Sequence, residues 1–323
     1  MRERAIRTFV AAAAALAFAG AAWGFGTTHS LGQNAEHEKI TRLALACGRA
    51  PAPCFQPASL DQLAGKTGTL GAVGAPDVGT LTFQHKAHCD GGDFLDVPGY
   101  PQSAAQARGA LEACRAWMRA ETDAAVRDAG EMLDRNGAVK ASETKLDCVF
   151  TGVFRGGAKC RTLADFGAAL HAAQDFYAHS NWADLPASGP VSPQNPPGLG
   201  HDAPAPWLDW RANAPFPKGL ISDCFTALPE TAFCNYAKTT RVKHAFINKD
   251  DGAIDVETGR VGAGTTPRGA INGNFARAVR AAEGESQLKW ATLVDDLRLR
   301  YGRDKGDRLA CALTSDDPAR RCR

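Results

Sequence analysis

The segment Leu170-His171-Ala172-Ala173-Gln174-Asp175-Phe176-Tyr177-Ala178-His179 most restricts what this chain can fold into, because it requires one helix to bury apolar and polar faces together. Leu163, Phe166, Leu170, Phe176 and Tyr177 fall at helical spacing, and the periodicity predicts a helix over Leu163 to Trp182. His171, Asp175 and His179 interrupt that pattern on one side. A step of four residues drifts only about 40° around a helix and climbs roughly 6 Å. His171 and Asp175 can therefore share one ion at zinc-ligand distances of ~2 Å, while His179, about 12 Å along the axis from His171, cannot join them. A carboxylate has two oxygens, so Asp175 can bridge two ions. The pattern predicts a centre with more than one metal, the arrangement that binds attacking and leaving oxygens in phosphoester hydrolysis. The plain alternative is a pair of histidines satisfied by hydrogen bonds in a polar seam between helices.

Further helical periodicity covers Ala35 to Ala46, Ser103 to Asn136, Gly273 to Glu283 and Ser286 to Tyr301, and no stretch alternates convincingly like a strand. The expected fold is mainly α, a compact multi-helix bundle with long loops. Between Leu185 and Gly219 many prolines and several glycines forbid a continuous helix, so this segment reads as a long ordered loop or lid. Trp207 and Trp210 either contact substrate there or pin the loop to the bundle.

Arg2, Arg4 and Arg7, the apolar run Phe9 to Phe18 and the small residues Ala19 to Ala22 have the layout of a secretory signal. The apolar run is too short for the roughly 20 residues of a membrane span, and no later uncharged stretch approaches that length. Cleavage after Ala22 is favoured, leaving Trp23 first, with cuts after Gly24 or Gly26 close behind. The expected arrangement is a leader over 1–22 and one domain over 23–323, in a secreted or periplasmic protein. The ten cysteines fit that compartment as disulfides. They fall into neighbouring pairs, Cys47 with Cys54, Cys89 with Cys114, Cys148 with Cys160, Cys224 with Cys234 and Cys311 with Cys322, and short-loop closure is the simplest map. None has the CxxC spacing of a thiolate zinc site.

The chain has only eight histidines. His29 and His37 follow soon after the leader, His85 and His88 precede Asp90 and Asp93, His244 precedes Asn248 and Asp250, and His201 lies in the proline-rich segment. Each could equally be a surface or loop residue. Asp250-Asp251-Gly252 reads as an ordinary turn and misses the calcium-loop pattern.

Through Leu170 to Trp182, with His88-Cys89-Asp90-Gly91-Gly92-Asp93 and His244 to Asp250 in support, the chain resembles secreted proteins of the actinobacterial CinY and fungal Het-C type. Those are similar in turn to the helical superfamily of zinc-dependent phospholipase C and the single-strand nucleases. The resemblance spans roughly 23–301 and implies two or three zinc ions. It implies that the freed amine and carbonyl of Trp23 join His37 on one ion, with His29 competing for that place. It implies that His171 and Asp175 match the family's His-x-x-x-Asp, with Asp175 as bridge and His88 and Asp90 completing their side. His179 and His244 would hold the third ion, with Asn248 or Asp250. The chain departs from that pattern in three ways: the short spacing from Asp175 to His179, a loop aspartate after His88 where the family has one before, and Asn248 where the family has a carboxylate.

The function expected on this basis is a metal-dependent phosphoester hydrolase acting on phospholipid head groups or a related phosphodiester, with Asp90 or Asp93 as general base. A nuclease would want a basic, aromatic groove for single strands, and the formal net charge of only +2 argues mildly against it. A secreted binding protein that keeps a structural zinc is the alternative from another class.

Overall fold

The structure, a computed structural model, describes residues 25–29, 33–224, 234 and 241–323. The expected leader over 1–22 and Trp23 lie outside the described residues. In chain order the helices are α1 (Glu36–Leu45), α2 (Pro57–Ala64), α3 (Gly71–Gly74), α4 (His85–His88), α5 (Ala104–Ala129), α6 (Ala158–His179), α7 (His244–Ile247), α8 (Asn274–Tyr301), α9 (Arg303–Thr314) and α10 (Pro318–Arg321). The fold is mainly α and carries disulfides, as expected. One short antiparallel pair, β1 (Gly252–Ile254) with β2 (Val261–Gly264), corrects the expectation of no strand. Its strands are too short and glycine-rich for alternation to register in the sequence.

α6 is the central element, packed against α5, α8, α3 and α4. It starts five residues earlier than periodicity predicts, at Ala158, because Glu143 supplies the partners its first turn lacks. The Glu143 carboxylate accepts from the Ala158 amide at 2.9 Å, and its carbonyl accepts from Lys159 at 2.9 Å. The helix stops at His179, where Ser180 turns extended and pairs with Ser222. From Phe166 to His179 every residue is buried, so the polar stripe must find its partners inside the protein.

Two apolar clusters divide along this helix. Leu163, Phe166 and Leu170 pack with Leu63, Val73, Trp290 and Leu313, whereas Ala172, Phe176 and Tyr177 pack with Phe25, Ile40, Leu111 and Phe275. α5 begins on a capping box, with Ser103 accepting from the Gln106 amide and the Gln106 side chain reaching back. The two stretches predicted around Gly284 form one continuous helix, α8. Gly284 is there for close packing, since a Cβ would stand 2.8 Å from the Pro204 ring. The 185–219 segment is a loop with one turn of 3-10 helix at Pro206–Leu208. Trp207 is buried beneath the Arg115 guanidinium, and Trp210 lies under the Lys289 ammonium, so both tie the loop to α5 and α8.

Disulfides join Cys47 to Cys54, Cys89 to Cys114, Cys148 to Cys160, Cys224 to Cys234 and Cys311 to Cys322, which is the short-loop map. Among the described residues, no helix is long and apolar enough to cross a membrane.

Candidate metal centre

The Asp175 carboxylate occupies the middle of the polar stripe, and its two oxygens face different groups. Oδ2 lies 3.0 Å from His171 Nε2 and 3.0 Å from His88 Nδ1, and these two nitrogens are 3.0 Å from each other. Asp77 closes this first group, with Oδ1 3.5 Å from His171 Nε2 and 3.8 Å from His88 Nδ1. Two ligands each ~2.1 Å from a tetrahedral ion sit roughly 3.4 Å apart, so the spacing suits one ion. The hydrogen-bond directions agree. His171 donates from Nδ1 to the Val73 carbonyl at 2.9 Å, and His88 donates from Nε2 to the Leu81 carbonyl at 3.2 Å. In the neutral rings, His171 Nε2 and His88 Nδ1 then meet with lone pairs, which a shared cation would relieve.

Asp175 Oδ1 faces a second group. His37 Nε2 is 3.2 Å away without hydrogen-bond geometry, and the Phe25 backbone nitrogen donates to the same oxygen at 3.2 Å. Phe25, Gly26 and Thr27 run across the whole region. Gly26 donates to the Asp250 carbonyl at 3.2 Å, and the Thr27 hydroxyl donates to Asp77 Oδ2.

A third group surrounds the end of α6. His179 Nδ1 lies 2.6 Å from Asp90 Oδ1, and His244 Nδ1 pairs with Asp223. The opposite nitrogens converge on Asp250, at 3.4 Å from His179 Nε2 and 2.7 Å from His244 Nε2. Asp250, facing Nε2 of both rings, would orient them as outer carboxylates do for metal-bound histidines.

Asp77, Asp90, Asp175, Asp223 and Asp250 are all buried, and so are His37, His88, His171, His179 and His244. Burial alone would lower the His171 pKa, but Asp175 and Asp77 raise it to about 9. His244 is likewise carried against burial to about 10 by Asp250 and Asp223. His179 is raised well above its ordinary value, with Asp90 overcoming burial. Burial would raise Asp175, yet His171 and its neighbouring histidines hold it well below the carboxylate range. Asp90 goes the other way, raised by burial and by the charge of Asp223. Bound cations would take over the charge that the imidazolium rings otherwise supply. Groups of histidine and aspartate here could hold metal: His37 with His171 and Asp175, Asp77 with His88 and His171, and His179 with Asp223 and His244.

Several sequence expectations are corrected by this geometry. Asp90 does not complete the His88 and His171 group, because the left-handed turn at Cys89 swings it to His179. Asp77, which precedes His88 in the chain, stands there instead. Asp93 is placed poorly for a base, since Arg241 binds both its oxygens, at 2.9 Å for Oδ2, and Tyr100 donates to Oδ2 at 2.5 Å. His29 pairs with Glu38 at 2.9 Å near the surface, away from Asp175. His85 is exposed, and His201 lies on the Trp182 ring. Asp77 and Asp223 were missed, and a search for an aspartate before His88 would have found Asp77.

Comparison with protein-family models, with curated proteins and with solved structures finds no match for this chain.

Proposed function

We propose that this protein is a zinc-dependent phosphoester hydrolase of a phospholipase C type, taking phospholipid head groups or a related phosphodiester. One observation carries the proposal: the two oxygens of Asp175 face separate histidine groups, His171 with His88 on one side and His37 on the other, with a third group next along the helix. The residues suit two or three zinc ions by donor type, imidazole and carboxylate. Bound zinc would acidify a water and hold phosphoryl oxygens. Asp77, whose Oδ1 stands 3.5 Å from His171 Nε2 and 3.8 Å from His88 Nδ1, is the residue we assign to take a proton from that water. Asp223 would hold the third ion with His179 and His244, and Asp250, at the Nε2 side of both rings, would orient them. The Phe25 nitrogen at Asp175 favours leader cleavage after Gly24, which would turn that amide into a free amine able to join His37, in place of Trp23.

A second reading, a secreted binding protein that keeps zinc for structure, draws support from the complete burial of His37, His171, Asp175, His179 and His244. Elemental analysis and the mass of the mature chain separate the two. The hydrolase reading expects two or three zinc ions per chain, a terminus at Phe25, zinc-dependent cleavage of a soluble phosphodiester, and loss of most zinc and activity in Asp175→Ala. Full zinc content with no turnover would support the binding protein, and full zinc in Asp175→Ala would sink the bridging role.

A further inference from the structure

Gln174 is buried on α6 beside the ligand row, and nothing in the proposed hydrolysis calls on it. Its amide joins three side chains. Oε1 lies 2.7 Å from His37 Nδ1, while Nε2 donates to Thr41 Oγ1 at 3.0 Å and to Ser286 Oγ at 3.1 Å. His37 and Thr41 belong to α1 and Ser286 to α8, so the contact ties three helices at one point.

The direction of these bonds is determined at the far end. Ser286 donates its one hydrogen to the Ala282 carbonyl at 2.8 Å, so its oxygen can only accept from Gln174. The NH2 group must therefore face Ser286 and Thr41, and the amide oxygen must face His37. An amide oxygen has no hydrogen to give, so His37 Nδ1 carries one. In a neutral imidazole that leaves the lone pair on Nε2. Nε2 is the buried nitrogen that stands 3.2 Å from Asp175 Oδ1 with no hydrogen-bond partner.

We infer that Gln174 is a positioning residue that sets His37 in the tautomer a metal ion needs, by a bond polarity passed from Ala282 through Ser286. The inference rests on the metal-centre reading and adds to it the control of one ligand. His171 and His88 are set by the carbonyls of Val73 and Leu81, which no side-chain replacement removes. His37 alone among these three depends on a side chain, so its setting can be undone by one substitution. Methionine keeps the length and much of the packing of glutamine but lacks the amide oxygen.

The test uses the mature protein with 15N-labelled histidine, loaded with 113Cd in place of zinc. In the wild type, cadmium should couple to His37 Nε2, with Nδ1 protonated. In Gln174→Met, affinity for that one ion should fall about 10- to 100-fold, the range for losing an outer-shell partner, while the remaining cadmium signals persist. Gln174→Glu should restore the Nε2 coupling, because a carboxylate oxygen also accepts from Nδ1, at the cost of the two contacts that Thr41 and Ser286 accept from the amide. An unchanged ion count and Nε2 coupling in Gln174→Met would overturn the inference. So would loss of every ion together with stability, the mark of a packing role alone. Coupling through Nδ1 in the wild type sinks the inference and leaves the metal centre standing, whereas a wild type that takes up no cadmium sinks both.

Discussion

His171 and His244 make the protonation of the metal-free protein measurable. Their folded pKa values, about 9 and about 10, lie above the ordinary 6.5. Each therefore contributes stability that is fully present below pH 6.5 and disappears as pH rises through the folded value. The thermal midpoint of chelator-treated protein should fall between pH 6.5 and 10. A zinc ion held there, as proposed, would compete with protons for the same nitrogens, so its affinity should rise over that window, with protons released on binding. Scanning calorimetry with and without zinc checks both directions, and a flat metal-free profile would contradict the raised imidazoles. The sequence made His171, Asp175 and His179 legible because helical spacing alone puts them on one face. It did not show that Arg241, 148 positions away, claims Asp93, because no local pattern encodes that contact. Asp223, next to Cys224 in a loop, left no periodic signal either.

α6 was the most legible element, because a helix buried all round carries a long apolar signal, and its inaccurate start reflects a cap supplied from Glu143 instead of from its own sequence. α2 and α9 went unread. The first is short, and the second opens with Arg303-Asp304-Lys305-Gly306, where charge and glycine hide the helix. Gly167 shows how closely α6 meets its neighbour. A Cβ there would lie 2.5 Å from the carbonyl carbon of Ala72, on α3. That helix also presents the Val73 carbonyl to His171. Gly167→Ala should cost about 1–3 kcal/mol by overpacking. It should also weaken zinc uptake by moving α3 away from His171. Urea unfolding of the metal-free variant and zinc titration of the folded one measure the two effects, and wild-type behaviour in both would mean that α3 yields freely.

Over the whole molecule, the short disulfide loops and the mainly helical class followed from composition and periodicity, whereas the assembly of the centre depended on contacts that span the chain. Phe25, His37, Asp77, His88, Asp90, Asp175, Asp223, His244 and Asp250 come from seven separate segments, and among the described residues only α6 contributes to all three groups. The Cys89–Cys114 disulfide fixes the turn between His88 and Asp90 to α5. Contacts of such long sequence separation close late, after most loop-closure entropy has been lost. Metal would then have little to grip in the folding transition state and much to grip in the native state. Adding zinc should slow unfolding in stopped-flow denaturant jumps while leaving the refolding rate nearly unchanged. The Phe25-Gly26-Thr27 strap sharpens this consequence, because it touches Asp175, Asp250 and Asp77 from the first described residues of the chain. If a bound ion can leave only when that stretch lifts, the lifetime of the loaded protein would be set by three hydrogen bonds and not by the stability of the whole fold.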